Sequence, residues 1–172
     1  LGHDLGHTPF GHAGERALNE VNPYGFCHNI QSVRIVEKLE KDGKGLNLTW
    51  EAVDGILNHK SSGTPHTLEG QIVRLSDKIA YLNHDIDDAI RGGILKESEI
   101  PEEFHRILGD TTRKRLNTLI HDVVTNSMDK PQIAMSKRVE KAMRELREFM
   151  FERVYLNPDA KKEEKKAVHM VQ

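Results

Sequence analysis

The segment HDLGHTPFGHAGE at residues 3–15 concentrates metal-ligating and titratable side chains. His3 and Asp4 are adjacent, an awkward pair for one helix face but a good one for chelating a cation at a helix end. Imidazole and carboxylate are ligands for Mn, Fe, Co, Ni, Zn or Mg, and carboxylate content favours the harder ions. Two ligands do not make a site, and Asp77, on a later helix, is the candidate third. His7 and His12 follow across Gly6, Pro9 and Gly11, so they share no simple helical stripe. A glycine-rich turn brings them near one point, with backbone amides free to meet an anion. Glu15 lies one helical turn after His12. A carboxylate at that spacing orients a ring and supports its protonated form, which suits general acid–base work. Any one of these histidines alone reads as structural, but four in the first 28 residues, beside an HD pair, do not.

The elements that must position these groups read as helices. Gly6, Pro9 and Gly11 separate a helix end from a helix starting near Ala13, with a structured loop between them. NPYG at 22–25 is a turn, and from about Asn29 the positions Ile30, Val33, Ile35, Val36 and Leu39 form a helical face. Thr49 is a plausible N-cap for a helix over 50–58, with Ala52, Val53, Ile56 and Leu57 toward the core. Residues 60–66 read as a loop flanked by the surface residues His59 and His66, and His28 reads as either a site histidine or a core or capping one.

A long helix is predicted over 68–90, stopped by Gly92 and Gly93. At about 100° per residue, Leu68, Ile72, Leu75, Ile79, Leu82, Ile86 and Ile90 fall on one face. Asp77, Tyr81, His84 and Asp88 lie on the other, flanked by Lys78 and Asp85. That stripe is either the wet side of an amphipathic helix or a surface that meets a cation, because clustered carboxylates raise one another's pKa unless something compensates. Further helices are predicted over 102–108, 111–127, 136–155 and 159–171. No alternating strand pattern of useful length occurs, so the fold class is all-α.

Composition excludes several classes. The 172 residues carry 25 Lys and Arg against 27 Asp and Glu, a net charge of −2 that does not indicate a nucleic-acid partner. The last stretch, 136–172, is net +3, read as a solvated helical face or a surface for partner subunits or phosphates. With 37% hydrophobic and 30% charged residues the composition is soluble and globular, and no apolar run reaches the ~18 residues of a membrane span. The single cysteine, Cys27, permits no internal disulfide or Cys-rich zinc site, fits a cytoplasmic location, and reads as a small buried filler. His105, His121 and His169 match no functional pattern.

These motifs resemble the HD-domain deoxynucleoside triphosphate triphosphohydrolases, the dGTPase-like family. The resemblance rests on residues 3–15 and on FCHNIQSVRIVEKLE (26–40), TLEGQIVRLSDKIAYLNHDIDDAI (67–90) and QIAMSKRVEKAMRELREFMFERVY (132–155). It implies an HD-domain helical bundle, with an HD core over 1–128 and a C-terminal helical extension of the same domain over 129–172. It implies a divalent metal held by His3, Asp4 and Asp77, with a further histidine upstream of Leu1, so the chain is expected to be a fragment truncated at both ends.

The implied reaction is hydrolysis of a dNTP to deoxynucleoside and inorganic triphosphate. His12 and Glu15 are the implied acid–base pair, with His12 protonating the departing 5′ oxygen. His7 and His28 line the phosphate channel, Lys78 contacts phosphate, and Tyr81 and Asp85 read the sugar. A homo-oligomer, hexamer or dimer, and a second dNTP as allosteric activator are also implied. The alternatives are another HD-type nucleotidase or phosphodiesterase, or a non-catalytic nucleotide-binding HD protein.

Overall fold

The apolar spacing of the sequence is realised as helices in the computed structural model, which describes residues 2–156 and 158–171, and no strand occurs among them. The chain is all-α. Among the described residues, eight helices of seven residues or more follow in order: α1 Gly11–Val21, α2 His28–Arg34, α3 Trp50–Asn58, α4 Leu68–Arg91, α5 Glu102–Leu108, α6 Thr112–Ser127, α7 Lys137–Met150 and α8 Pro158–Val171. Short 3-10 turns lie at Gly2–Asp4 and Glu97–Glu99, and wider π-type turns extend α2 over Ile35–Leu39 and α7 over Phe151–Tyr155. Leu1, with the expectations attached to it, lies outside the described residues.

The residues group into two compact units, Leu1–Arg74 with Lys161–Gln172, and Leu75–Ala160. In the first, α2 packs on α3, and the Gly2–Asp4 turn packs on both. Its buried residues include Ala17, Val36 and Ile56, but also the polar His28, Ser32, Asp54 and His59. A buried polar side chain is tolerated where its hydrogen bonds are made inside the protein, and here they are. Asp54 accepts from the His66 amide (2.8 Å), the His66 ring Nδ1 (2.9 Å) and Asn58 Nδ2 (2.8 Å). Those bonds explain why α3 is rotated from its expected setting. Ile56 is buried as predicted, but Ala52 and Leu57 are exposed and Asp54 faces inward instead. His59 is also buried, and Cys27 is only half-buried.

The second unit holds the larger apolar core. Ile79, Leu82 and Ile86 of α4 pack with Phe104 and Leu108 of α5, Leu119 of α6, and Val139, Met143, Leu146 and Met150 of α7. The apolar stripe of α4 is therefore buried over this stretch, while Leu68 and Ile72 at its start are exposed. Arg115, 1% exposed, is held by Asn83 Oδ1 (3.3 Å), Glu97 Oε1 (2.9 Å) and Thr112 Oγ1 (3.3 Å). Ser136 caps α7 by accepting from the Val139 amide, and Thr111 caps α6 by accepting from the Lys114 amide.

Candidate functional site

Two glycines let the motif loop close on the helices that carry its partners. A Cβ on Gly6 would stand 2.2 Å from the His28 carbonyl oxygen and 2.4 Å from the Ser32 amide, so only glycine permits this approach to α2. The contact is secured by polar bonds. Gly6 N–H donates to Ser32 Oγ (2.9 Å), and that hydroxyl donates to the His3 carbonyl (2.9 Å). A Cβ on Gly14 would similarly meet the Pro9 carbonyl oxygen at 1.9 Å. Between them Phe10, a non-glycine residue, adopts a left-handed conformation (φ 65°) at the entry to α1. Such a residue costs of order 1–3 kcal/mol and persists where the surroundings over-determine it. The surroundings here are the loop that aims His7 and His12.

The first unit brings His3, Asp4, His7, His12, Glu15 and His28 into one neighbourhood with His59. His3 Nε2 lies 3.1 Å from Asp4 Oδ2, and His7 Nε2 lies 3.5 Å from Asp4 Oδ1. The His7 ring stacks on His28 with centroids 3.9 Å apart and a 15° interplanar angle. The His12 ring stands edge-on to both, 5.8 Å from His7 and 6.1 Å from His28. His59 meets His28 through paired Nε2 atoms 3.1 Å apart, and its ring centroid is 4.9 Å from that of His3.

Glu15 meets His28, a ring that its spacing to His12 does not point to. Its carboxylate accepts from the His28 amide (3.0 Å) and faces His28 Nδ1 (2.9 Å), with Lys60 Nζ at 3.9 Å. Burial pushes this carboxyl up, but the hydrogen bonds from the His28 amide and ring, together with the charges of His28 and Lys60, outweigh it and hold the pKa below its ordinary value. His7 is lowered, first by burial and then by the neighbouring His28 charge. Its Nδ1 is buried and has no hydrogen-bond partner among the described residues. An orphaned buried nitrogen is uncommon in native structures, and here it sits in the motif loop beside Asp4.

The remaining predicted residues lie in the second unit, on α4. Asp77 and Lys78 are half-buried, and Tyr81 is exposed. Asp85 accepts a hydrogen bond from the Tyr155 hydroxyl. Burial raises the Tyr155 phenol far above its ordinary range, and the hydrogen bond to Asp85 and the Asp85 charge raise it further, so the phenol stays protonated. Tyr155 and His59 are the two site-region residues that spacing did not single out. Tyr155 sits 70 residues from its partner and His59 31 residues from its own, and neither repeats a helical period with it.

Among the described residues no group of three or more His, Cys, Asp or Glu side chains is arranged to hold a metal ion. The His3–Asp4 pair has suitable donors, one imidazole nitrogen and one carboxylate. The chemistry therefore suits a divalent cation, while the arrangement shown does not close a three-donor set. Among the described residues no helix is long and apolar enough to cross a membrane.

Comparison with known proteins matches residues 1–82 to the HD domain and residues 133–172 to the phosphohydrolase-associated domain. The chain is 58% identical over 172 residues, all of its length, to a deoxyguanosinetriphosphate triphosphohydrolase-like protein of Caldanaerobacter subterraneus subsp. tengcongensis, covering 51% of that protein. A protein of the same description from Clostridium perfringens (strain SM101 / Type A) is 51% identical over 176 residues, covering 97% of this chain and 52% of the relative. Another from Geobacter metallireducens is 35% identical over 208 residues, covering 90% and 54%. The chain thus spans about half the length of the curated relatives it matches. On the HD motif at residues 3–4, the two matched domains and the likeness along its whole length, the chain belongs to the HD-domain, dGTPase-like protein family.

Proposed function

We propose that this chain forms the HD part of a metal-dependent hydrolase that converts a deoxynucleoside triphosphate to a deoxynucleoside and inorganic triphosphate. The observation that supports the reading best is the histidine cluster of the first unit: His7 stacked on His28, His12 edge-on to both, and an ionised Glu15 beneath. Such a cluster offers ring N–H donors to a polyphosphate without a basic surface. The relatives' printed description, deoxyguanosinetriphosphate triphosphohydrolase-like, agrees with that chemistry.

In this reading His3, Asp4 and Asp77 supply ligands to a divalent ion, which when bound polarises phosphate and lowers the pKa of water. His12 gives its proton to the departing 5′ oxygen. Glu15, tied to the amide and ring of His28, fixes that ring beside the His12 and His7 rings. His7 turns its unpartnered Nδ1 to phosphate, His28 stacks behind it as the second ring of the phosphate channel, and Lys78 contributes a point charge. Asp85 accepts from the 3′-hydroxyl of the sugar, and Tyr81 packs where a 2′-hydroxyl would clash. A homo-oligomer and a second, activating dNTP belong to the same proposal.

The test is substitution at the acid–base pair. His12→Ala and Glu15→Gln are each expected to lower dGTP turnover by about 10²–10⁴-fold while the far-ultraviolet helical signal is unchanged. Turnover that survives both substitutions would overturn the assignment.

A further inference from the structure

We propose that Lys60 is a further phosphate-binding residue of the candidate site: a clamp from Arg74 on the loop backbone brings its ammonium beside Glu15, where it meets the polyphosphate of a substrate. The identity of that substrate rests on the triphosphohydrolase reading, and the placement of Lys60 rests on the geometry of the first unit.

The loop over residues 60–66 is fixed at both ends. At its start the Arg74 guanidinium donates to two consecutive carbonyls, Nε to Lys60 (3.2 Å) and Nη2 to Ser61 (2.8 Å). The planar fork of an arginine suits two acceptors so placed, and a lysine does not reproduce it. The Lys60 carbonyl also accepts the Gly63 amide (2.9 Å). A Cβ on Gly63 would stand 2.4 Å from the Asn58 carbonyl oxygen, so the loop lies directly on the end of α3. At its close the buried Asp54 carboxylate accepts the His66 amide and faces the His66 ring nitrogen. Lys60 therefore leaves a backbone with little freedom to move.

The end of that side chain is held near Glu15 without being used up by it. Lys60 Nζ lies 3.9 Å from Glu15 Oε1, and the side chain is 31% exposed, so most of its length is covered. At 3.9 Å the contact is an ion pair but not a hydrogen bond. Glu15 has its own partners, since Oε1 takes the His28 amide and Oε2 faces His28 Nδ1. Among the described residues the Lys60 ammonium makes no hydrogen bond, so its three N–H groups remain for a ligand. A lysine that served only a carboxylate would close on it, as Lys114 closes on Asp110 at 2.8 Å.

Charge decides what that ligand is. Burial works against ionisation of Glu15, but the hydrogen bonds from His28 and the nearby Lys60 charge outweigh it. An unopposed carboxylate here repels a polyphosphate, and in a partly buried site the repulsion is weakly screened. An ammonium at this point offsets the carboxylate and adds donors suited to phosphate oxygens.

Calorimetric titration of the 172-residue chain with sodium tripolyphosphate tests this. Lys60→Gln is expected to weaken binding about 10-fold and Lys60→Arg by no more than about threefold, with the far-ultraviolet helical signal unchanged in both. Raised salt is expected to weaken binding by the wild type, and by a smaller factor in Lys60→Gln. Arg74→Gln, which keeps Lys60 but removes the fork, is expected to fall between the wild type and Lys60→Gln. The loss on Lys60→Gln is expected to persist in the Glu15→Gln background, because the ammonium meets phosphate itself. With dGTP, Lys60→Gln is expected to raise KM about 10-fold and leave kcat within about threefold. A wild-type chain that takes up no tripolyphosphate overturns the proposal. So does an affinity unmoved by Lys60→Gln, or a loss that vanishes in the Glu15→Gln background. If tripolyphosphate binding depends on Lys60 but dGTP yields no triphosphate, the phosphate contact stands and the hydrolase reading falls. If triphosphate appears and Lys60→Gln changes neither affinity nor KM, the hydrolase reading stands and this proposal falls.

Discussion

Glu15 shows how one carboxylate can fix a buried ring. It is tied to His28 by two hydrogen bonds and lies within 3.9 Å of Lys60. Its folded pKa lies below the ordinary value near 4.5, so its contribution to stability is complete above that value and is lost as the pH falls through the lower, folded one. Urea unfolding on a descending pH series is expected to show wild type and Glu15→Gln converging in acid and separating toward neutrality. A gap that stays constant with pH would contradict this. Asp85 makes a second prediction at the same scale. Asp85→Ala is expected to raise KM for dGTP and narrow the preference for dGTP over GTP, measured by parallel steady-state assays. Equal turnover of dGTP and GTP by the wild type would contradict the sugar-reading role. The residue identities of the HD motif were legible from their types and clustering alone. The partner of Glu15 was not, because the spacing that makes His12 its neighbour on α1 says nothing of a ring that α2 brings in from 13 residues away.

At the scale of elements, the motif loop depends on close backbone approach. Gly6→Ala sets a methyl group against the His28 carbonyl and the Ser32 amide. It is expected to cost about 1–3 kcal/mol by urea denaturation and to reduce turnover by displacing His7. A substitution with no effect on either would show that the loop is not held as described. Helix boundaries were largely readable: the predicted 50–58 and 102–108 are Trp50–Asn58 and Glu102–Leu108. The rotation of α3 was not readable. Periodicity assigns inward positions to apolar residues, and it has no means of foreseeing that three donors at His66 and Asn58 make an inward aspartate the better arrangement. Asp54 is also held below its ordinary value: burial raises it, and the hydrogen bonds from His66 and Asn58 outweigh that. Asp54→Asn is therefore expected to lower the urea midpoint at pH 7 and to lose that difference on acidification below about pH 3.8, the ordinary value of the group.

At the scale of the whole molecule, each compact unit has its own means of cohesion. The second unit rests on an apolar core threaded by the Arg115 network, and Arg115→Met is expected to destabilise it by about 2–3 kcal/mol, because Asn83 and Glu97 lose a buried donor. The first unit buries histidines and carboxylates among few apolar side chains, a composition that favours a site over stability. All-helical class and family were legible in the sequence because the motifs are long and specific. The grouping into two units was not, because α4 runs unbroken from Leu68 to Arg91, past the division at Arg74 and Leu75. The central claim concerns which bond is broken, and product analysis tests it most directly. The protein is incubated with dGTP and Mn²⁺, and the phosphate products are separated by anion exchange. The account predicts deoxyguanosine and inorganic triphosphate in equal amounts. Pyrophosphate or orthophosphate in place of triphosphate would contradict it.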